Sequence, residues 1–169
     1  SVNPIALALV SGFTFIARSY SYDVKHLKDT IKRAITHKGL AFVDVLQPCP
    51  TYDDIHTREW YQQGVNNQET GKATPRIYKI EETGYDGMIK DESEVSGKMS
   101  KILEFSSEWG DRIPIGIFYQ NELVPSYHER IADNNKDYSA NPPSHQEIMD
   151  IGNKPLATID KILDKLQIN

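Results

Sequence analysis

The chain has 169 residues, of which 38% are hydrophobic and 25% charged, and its formal net charge is −5 at pH 7. This composition is typical of one globular domain, or of a small module with an extension, and excludes a disordered chain. The negative charge and the scattered basic residues exclude nucleic acid as a primary partner, since phosphate binding needs clustered Lys and Arg. No apolar run approaches the roughly 20 residues that span a bilayer, so we expect no membrane partner. A single cysteine forms no internal disulfide, and we expect a cytoplasmic protein.

Helices and strands are predicted to alternate at the start of the chain. Asn3 followed by Pro4 indicates a helix start, and residues 13–19 have the composition of a strand. Asp23 is a cap for a longer helix, and residues 40–46 form an apolar run typical of a buried strand. The apolar positions of the longer helix recur at spacings of three and four: Val24, Leu27, Ile31, Ala34 and Ile35. This order predicts a parallel α/β sheet with right-handed crossovers.

The rest of the chain has a less regular pattern. We predict a long irregular segment over residues 48–75, an edge strand over 76–80, a helix beginning at Ser93, a strand over 115–119, an extended loop over 132–153 and a last helix opened by Pro155. The last helix has an apolar stripe that includes Leu156 and Leu166, and we expect it to contact a partner.

Cys49 stands between two prolines directly after the apolar run of residues 40–46. The carboxyl edge of an open α/β sheet is where ligands bind, so the thiol is expected at that edge. The flanking prolines stiffen the loop and remove two N–H donors, which suits a metal or cluster ligand. The alternative is a buried structural thiol that behaves as a small hydrophobe.

Two basic residues stand at positions with possible chemical roles. Lys25 lies in the first turn of a helix that follows a strand, at the edge expected to carry Cys49. A cation is locally unfavourable there, and a bound carboxylate or phosphate would offset this. The alternative for Lys25 is a solvated surface lysine. Arg18 lies inside an apolar strand and is expected to pair with a carboxylate or to lie at the strand end.

Several sequence stretches stand in the order and spacing of one enzyme family. They are Asn3-Pro4-Ile5-Ala6-Leu7-Ala8-Leu9, Phe15-Ile16-Ala17-Arg18, Lys25-His26-Leu27, Ala34-Ile35-Thr36-His37-Lys38-Gly39, Leu46-Gln47-Pro48-Cys49-Pro50-Thr51-Tyr52, Ile113-Pro114-Ile115-Gly116-Ile117-Phe118-Tyr119 and Val124-Pro125-Ser126-Tyr127. On these stretches the chain resembles the β subunit of the 2-oxoacid:ferredoxin oxidoreductases, which include the pyruvate and 2-oxoglutarate enzymes. The N-terminal cysteines and the Gly-Asp-Gly stretch of that family do not occur here. The chain therefore looks like the C-terminal part of the subunit, and a first residue other than Met fits a longer polypeptide.

The resemblance implies a fold and a division into domains. Residues 1–54 are expected to be the C-terminal portion of a parallel-sheet α/β domain that binds thiamine diphosphate. Residues 55–169 are expected to be an irregular α+β C-terminal extension.

The resemblance also implies an activity. The assembled enzyme is expected to decarboxylate a 2-oxoacid oxidatively with coenzyme A, giving an acyl-CoA and CO₂, and to reduce ferredoxin. Its cofactors would be a 4Fe-4S cluster, with Cys49 as one thiolate ligand, and thiamine diphosphate with Mg²⁺, bound mainly by segments absent here. Lys25 would bind the 2-oxoacid carboxylate or the coenzyme A phosphates. The expected partners are the α subunit, the remainder of the β subunit and ferredoxin, and the piece alone is expected to be inactive.

Two alternative functions stay open at this point. The chain could be a non-catalytic assembly module in which Cys49 is simply buried. It could also be part of a thiamine-dependent decarboxylase or synthase that has no cluster.

Overall fold

The structure is a computed structural model and describes residues 2–66 and 73–156. Helices and strands alternate through most of this range. In chain order they are α1 (Pro4–Val10), β1 (Phe15–Tyr20), α2 (Val24–Thr36), β2 (Ala41–Leu46), α3 (Arg58–Gln62), β3 (Val65–Asn66), β4 (Ala73–Thr74), β5 (Ile77–Lys79), a 3₁₀ turn (Ile80–Thr83), α4 (Glu94–Ser107), β6 (Ile113–Gln120), α5 (Tyr127–Asn134) and a second 3₁₀ turn (Pro143–His145).

A four-stranded sheet in the order β2, β1, β6, β5 forms the centre of the fold. β1 runs parallel to β2, with Phe15 opposite Ala41 and Tyr20 opposite Leu46. β5 runs parallel to β6, whereas β6 runs antiparallel to β1. The sheet is therefore mostly parallel, and the α/β class expected from the sequence is confirmed.

Helices cover both faces of this sheet. On one face α1 and α4 pack around Ile16 and Phe118, which are fully buried. On the other face α2 lies over β1 and β2, where Ala34 packs near Phe15 and Ala17. The alternation of Phe15, Ile16 and Ala17 between the two faces follows from the period of two along a strand.

The predicted helix caps are confirmed. The Asn3 side chain accepts a hydrogen bond from the amide of Ala6, and Pro4 occupies the first turn of α1. The Asp23 side chain accepts one from the amide of His26 at the start of α2. Each cap satisfies an N–H that has no partner within its own helix, which is why these residues start helices.

Several predicted boundaries need correction. Residues 48–75 are less irregular than expected, because Thr57 caps the short helix α3 and β3 pairs antiparallel with β4. The strand predicted over 115–119 is longer and becomes β6. α5 ends at Asn134, so it enters the segment predicted as an extended loop. The helix predicted after Pro155 lies largely outside the described residues.

The chain divides into two compact units, Ser1–Ser126 and Tyr127–Asn169. The first unit contains the whole sheet. β6 joins β1 and β5, so residues on both sides of position 54 belong to one sheet. The predicted domain boundary at that position stays a prediction. Among the described helices, none is long and apolar enough to cross a membrane.

Candidate functional site

The carboxyl ends of β1 and β2 lie side by side, because the strands are parallel and their last residues, Tyr20 and Leu46, are paired. Lys25 comes soon after the first of these ends, and Cys49 soon after the second. Both residues predicted from the sequence therefore follow neighbouring strand ends at one edge of the sheet. Ligands bind at this edge in open α/β sheets.

Cys49 lies on a turn that folds back immediately after β2. Its thiol is free and the residue is half-buried. Its carbonyl oxygen accepts hydrogen bonds from the amides of Tyr52 at 3.1 Å and Asp53 at 2.8 Å. These bonds hold the loop in a tight turn around the cysteine, while the side chain of Tyr52 is exposed.

The same loop is tied to α3 through Asp53 and His56. One oxygen of Asp53 accepts hydrogen bonds from the amides of Ile55 and His56, and the other lies 2.6 Å from Nδ1 of His56. The hydrogen bond from the His56 amide is the main reason that the pKa of Asp53 is lowered. The His56 ring meets the Trp60 ring edge to face at 4.5 Å. The Asp53–His56 pair was not predicted from the sequence; its signal is the spacing of three between an Asp and a His before a helix.

An ion pair joins β1 to β2 just before the two strand ends. Nε of Arg18 donates to Oδ2 of Asp44 at 2.7 Å, and the Arg18 side chain is only 4% exposed. The expectation that Arg18 pairs with a carboxylate is therefore confirmed. The guanidinium also lies 5.9 Å from the centre of the Phe118 ring. The partner could have been suspected from the sequence, because Asp44 is the one acidic residue in the predicted strand of residues 40–46.

The N-terminus of α2 is occupied by Asp23. One oxygen of Asp23 accepts from the His26 amide, and the other pairs with Nζ of Lys79 at 2.9 Å. The hydrogen bond from Lys79 is the main cause of the lowered pKa of Asp23, and the same bond raises the pKa of Lys79. An anion at this helix end is thus already provided by the chain itself.

Lys25 is exposed and borders a cleft of about 220 Å³ between α2 and the turn that follows β5. The charged side chains of this cleft balance: Lys25, Arg33 and Lys79 face Asp23, Asp29 and Glu81. An anion held by Lys25 would therefore depend on individual contacts and not on a net positive field.

His26 lines the same cleft. Its Nδ1 lies 2.7 Å from Oγ of Ser19, a residue fully buried in β1. Burial lowers the pKa of His26, because the charged ring is poorly solvated there. The ring is therefore neutral at pH 7. No local pattern in the sequence indicates this pairing, which depends on how α2 lies over β1.

A second cavity, of about 430 Å³, opens beside the end of β1 and is lined by four tyrosines: Tyr20, Tyr22, Tyr61 and Tyr78. The rings of Tyr20 and Tyr61 lie 5.1 Å apart. Burial raises the pKa of both phenols, so both stay protonated at neutral pH. This cavity was not predicted from the sequence.

A complete metal site is not formed by the described residues. Residues 2–66 and 73–156 contain no group of three or more His, Cys, Asp or Glu side chains placed to hold one ion. A half-buried free thiol on a stiff turn has the donor chemistry of an iron–sulfur ligand, so Cys49 fits the role of one ligand among several.

Comparisons with known proteins match the chain to the β subunits of ferredoxin oxidoreductases. The family model for the C-terminal region of the pyruvate ferredoxin oxidoreductase beta subunit matches residues 73–136. Over 168 residues the chain is 51% identical to the 2-oxoacid:ferredoxin oxidoreductase subunit beta of Saccharolobus solfataricus, a match that covers 99% of this chain and 51% of that protein. It is 44% identical over 174 residues to 2-oxoacid:ferredoxin oxidoreductase 1, subunit beta, of Aeropyrum pernix, covering 100% of this chain and 51% of that protein. The chain spans about half the length of these curated relatives.

The fold is also shared with a solved structure. It is a 2-oxoglutarate:ferredoxin oxidoreductase from Magnetococcus marinus with 2-oxoglutarate, coenzyme A and succinyl-CoA bound. The TM-score is 0.61 at 21% identity, and the match covers 99% of this chain and 45% of that chain. At this identity the likeness shows the fold alone.

The fold and these matches define the class of the chain: an α/β protein similar to oxidoreductase β subunits over about half of their length. The resemblance to the β subunits of the 2-oxoacid:ferredoxin oxidoreductases, with their C-terminal region in residues 73–136, is confirmed.

Proposed function

We propose that the chain is the C-terminal part of the β subunit of an enzyme that decarboxylates a 2-oxoacid oxidatively with coenzyme A. The 2-oxoacid and coenzyme A give an acyl-CoA and CO₂, and the two electrons released pass singly to ferredoxin. The observation that carries this proposal is the 51% identity to a 2-oxoacid:ferredoxin oxidoreductase β subunit across 99% of the chain. We place the enzyme in the cytoplasm.

In this proposal Cys49 is one thiolate ligand of a 4Fe-4S cluster whose other ligands lie outside this chain. Its position supports the role, since the turn after β2 presents a half-buried thiol at the sheet edge where ligands bind. The bonds from the amides of Tyr52 and Asp53 to its carbonyl hold the turn in place.

Lys25 is proposed to bind the 2-oxoacid carboxylate or the coenzyme A phosphates. Its exposed ammonium group stands beside the cleft near the end of β1, where a bound anion could reach it. Thiamine diphosphate, with Mg²⁺, supplies the carbanion chemistry when bound, and we assign its binding mainly to the part of the subunit that this chain does not span. The α subunit and ferredoxin complete the set of proposed partners.

The experiment is to assemble the complete β subunit with its α subunit and to compare Cys49→Ser with the unchanged enzyme. We expect the variant to lose iron, the visible absorbance of the cluster, and the reduction of ferredoxin by 2-oxoacid and coenzyme A. Thr51→Ser is the matched control, since it changes an exposed side chain in the same loop and keeps the thiol.

Retention of iron and absorbance in Cys49→Ser would contradict the cluster role and favour a buried structural thiol. Absence of iron from the assembled enzyme that carries no substitution would favour the cluster-free decarboxylase or synthase. An assembled complex with no 2-oxoacid-dependent reaction at all would favour the assembly module.

A further inference from the structure

An exposed tryptophan, Trp109, lies at the same edge of the sheet as Cys49. β6 runs antiparallel to β1, so the start of β6 lies at the edge where β1 and β2 end. Trp109 belongs to the connection between α4, which ends at Ser107, and β6, which begins at Ile113. The residue is 51% exposed. The fold therefore brings an aromatic side chain from late in the sequence to the edge that carries Cys49.

A short series of contacts joins the Cys49 turn to this tryptophan. The amide of Asp53 donates to the carbonyl oxygen of Cys49 at 2.8 Å. The Asp53 carboxylate lies 2.6 Å from Nδ1 of His56, and this bond fixes the orientation of the imidazole ring. The centre of the His56 ring lies 5.9 Å from the centre of the Trp109 ring. Backbone, carboxylate, imidazole and indole thus form a continuous series from Cys49 to the surface.

Trp109 also borders a surface depression of about 690 Å³. Phe105 adds a second aromatic ring to the lining of this depression, and Lys101 and Arg112 add two cations. Each cation is paired with a glutamate of its own segment, so the depression has no strong net positive field. Trp and Arg are enriched among the residues that contribute most to binding at protein interfaces. We call Trp109, Phe105, Lys101 and Arg112 the Trp109 surface.

We propose that the Trp109 surface is where ferredoxin docks on the assembled enzyme. This inference rests on the proposed function, in which Cys49 is a ligand of the cluster that reduces ferredoxin. In each encounter one electron passes from the enzyme, which is oxidised, to ferredoxin, which is reduced. No bond forms or breaks in this step. His56 and Trp109 lie between the donor and the acceptor, and neither side chain is itself oxidised or reduced.

Two observations favour ferredoxin over another subunit as the protein that covers this surface. Electron transfer between proteins slows steeply with distance, so an acceptor has to dock close to the donor group. The contacts through Asp53 and His56 give the Trp109 surface a short connection to Cys49. The surface also consists of a few side chains around one exposed tryptophan. This matches the small interfaces, below about 1,200 Å², of transient electron-transfer complexes.

The test uses the complete β subunit assembled with its α subunit, with oxidised ferredoxin as the ligand. Calorimetry measures the dissociation constant of ferredoxin for the enzyme without substitution and for Trp109→Ala. We expect Trp109→Ala to raise this constant about tenfold or more, because interface tryptophans contribute strongly to binding. Iron content and the visible absorbance of the cluster should not change. Trp109→Phe keeps an aromatic ring and should recover most of the affinity.

Leu123→Ala is the matched control. Leu123 is 47% exposed and follows the end of β6, so it lies at the opposite edge of the sheet. Its substitution should leave the dissociation constant of ferredoxin unchanged. A small viologen dye is a second control, because it accepts electrons without a docking surface. The rate of viologen reduction by 2-oxoacid and coenzyme A should be the same in Trp109→Ala as in the enzyme without substitution.

Photo-crosslinking tests the same surface with Trp109 intact. A photo-crosslinking amino acid replaces Lys101, and the crosslinked peptides are identified by mass spectrometry. We expect links to ferredoxin, and none when the same amino acid replaces Leu123. Links from position 101 to the α subunit or to another part of the β subunit would overturn the docking surface. An unchanged dissociation constant for Trp109→Ala would overturn it as well.

The viologen assay separates this inference from the proposed function. An enzyme without substitution that reduces neither viologen nor ferredoxin, but binds ferredoxin through Trp109, would overturn the function and leave the docking surface assigned. An active enzyme whose affinity for ferredoxin does not depend on Trp109 would keep the function and overturn the docking surface.

Discussion

The Arg18–Asp44 ion pair joins the two strands that carry the candidate site. The guanidinium is almost fully buried, whereas the Asp44 side chain is 20% exposed and keeps some contact with solvent. A buried charge without its partner destabilises a fold strongly. Removing Asp44 should therefore cost more stability than removing Arg18, because the arginine is the more deeply buried of the two.

We therefore predict that Asp44→Ala destabilises the complete β subunit more than Arg18→Met. The first change leaves a buried cation unpaired and should cost about 3–5 kcal/mol. The second leaves a partly solvated carboxylate and replaces the arginine stem with an apolar chain, so it should cost less. Urea unfolding of the two variants measures both values. Equal costs, or a larger cost for Arg18→Met, would contradict the asymmetry.

The proposed role of Lys25 in binding an anionic ligand can be tested by substitution. If it contacts the 2-oxoacid carboxylate or a coenzyme A phosphate, Lys25→Ala should weaken binding of that ligand by about 1.5–3 kcal/mol, the range for a hydrogen bond to a charged group. Lys28→Ala is the matched control, an exposed lysine one turn along α2 that does not line the cleft. Affinities for both ligands are measured by calorimetry on the assembled enzyme, with folding checked by circular dichroism. Unchanged affinity for both ligands would show that Lys25 is a solvated surface lysine that binds neither of them.

At the scale of elements, the backbone conformation of β6 depends on one glycine. Gly116 has a φ of +133° and stands opposite Arg18 in the β1 pairing. A Cβ at this position would come within 2.6 Å of both carboxylate oxygens of Glu81. One of those oxygens accepts the amide of Ile117 at 2.8 Å, so the carboxylate cannot move away freely. The turn after β5 is thereby fastened to β6 through a position that needs glycine.

Gly116→Ala should accordingly destabilise the complete β subunit by about 1–3 kcal/mol, the range for a residue held in a sparsely populated backbone region. The comparison variant is Gly97→Ala, because Gly97 lies within α4 and has open space around its Cβ position. That change should stabilise the subunit by roughly 0.4–1 kcal/mol. The denaturant midpoints of the two variants show whether each substitution raises or lowers the stability. An unchanged midpoint for Gly116→Ala would show that β6 relaxes at this position.

At the scale of the whole molecule, the described part of the chain exposes large apolar side chains on several elements. They include Leu7, Val10, Val24, Ile35, Tyr52 and Ile55, each more than half exposed. Among the described strands β2 pairs with β1 alone. Together with this unpaired strand edge, the exposed apolar surface is expected to be buried in an assembly.

We therefore predict that the isolated chain is not a stable monomer and that its covered interface exceeds about 2,000 Å², the size of obligate interfaces. The same surface should make the isolated chain associate or precipitate. Sedimentation and thermal melting of the isolated chain measure this. A compact monomer that melts cooperatively would show that the chain is an autonomous domain.

Local features of the fold were predictable because their signals are local. Asn3 and Asp23 cap helices by bonding amides only three residues away, and the apolar run of residues 40–46 predicted the strand β2. The expectation that this strand is buried was wrong, because its residues Ala41–Asp44 are only half-buried and Val45 is exposed. The position of Cys49 at the sheet edge follows from that strand alone, and the motifs around it indicated the family.

Other features were decided by tertiary structure. β6 pairs antiparallel with β1 although about a hundred residues separate them, and no local pattern specifies that pairing. The bond between Ser19 and His26 and the cleft beside Lys25 depend on how α2 lies over the sheet. The sequence by itself determined the helices and strands of residues 3–46 and the place of the thiol after β2, but it did not predict α3, β3, β4 or α5. Only the tertiary structure decided which side of α2 is buried and in which order the four described strands pair, because both depend on contacts between distant segments and not on the periodicity within one of them.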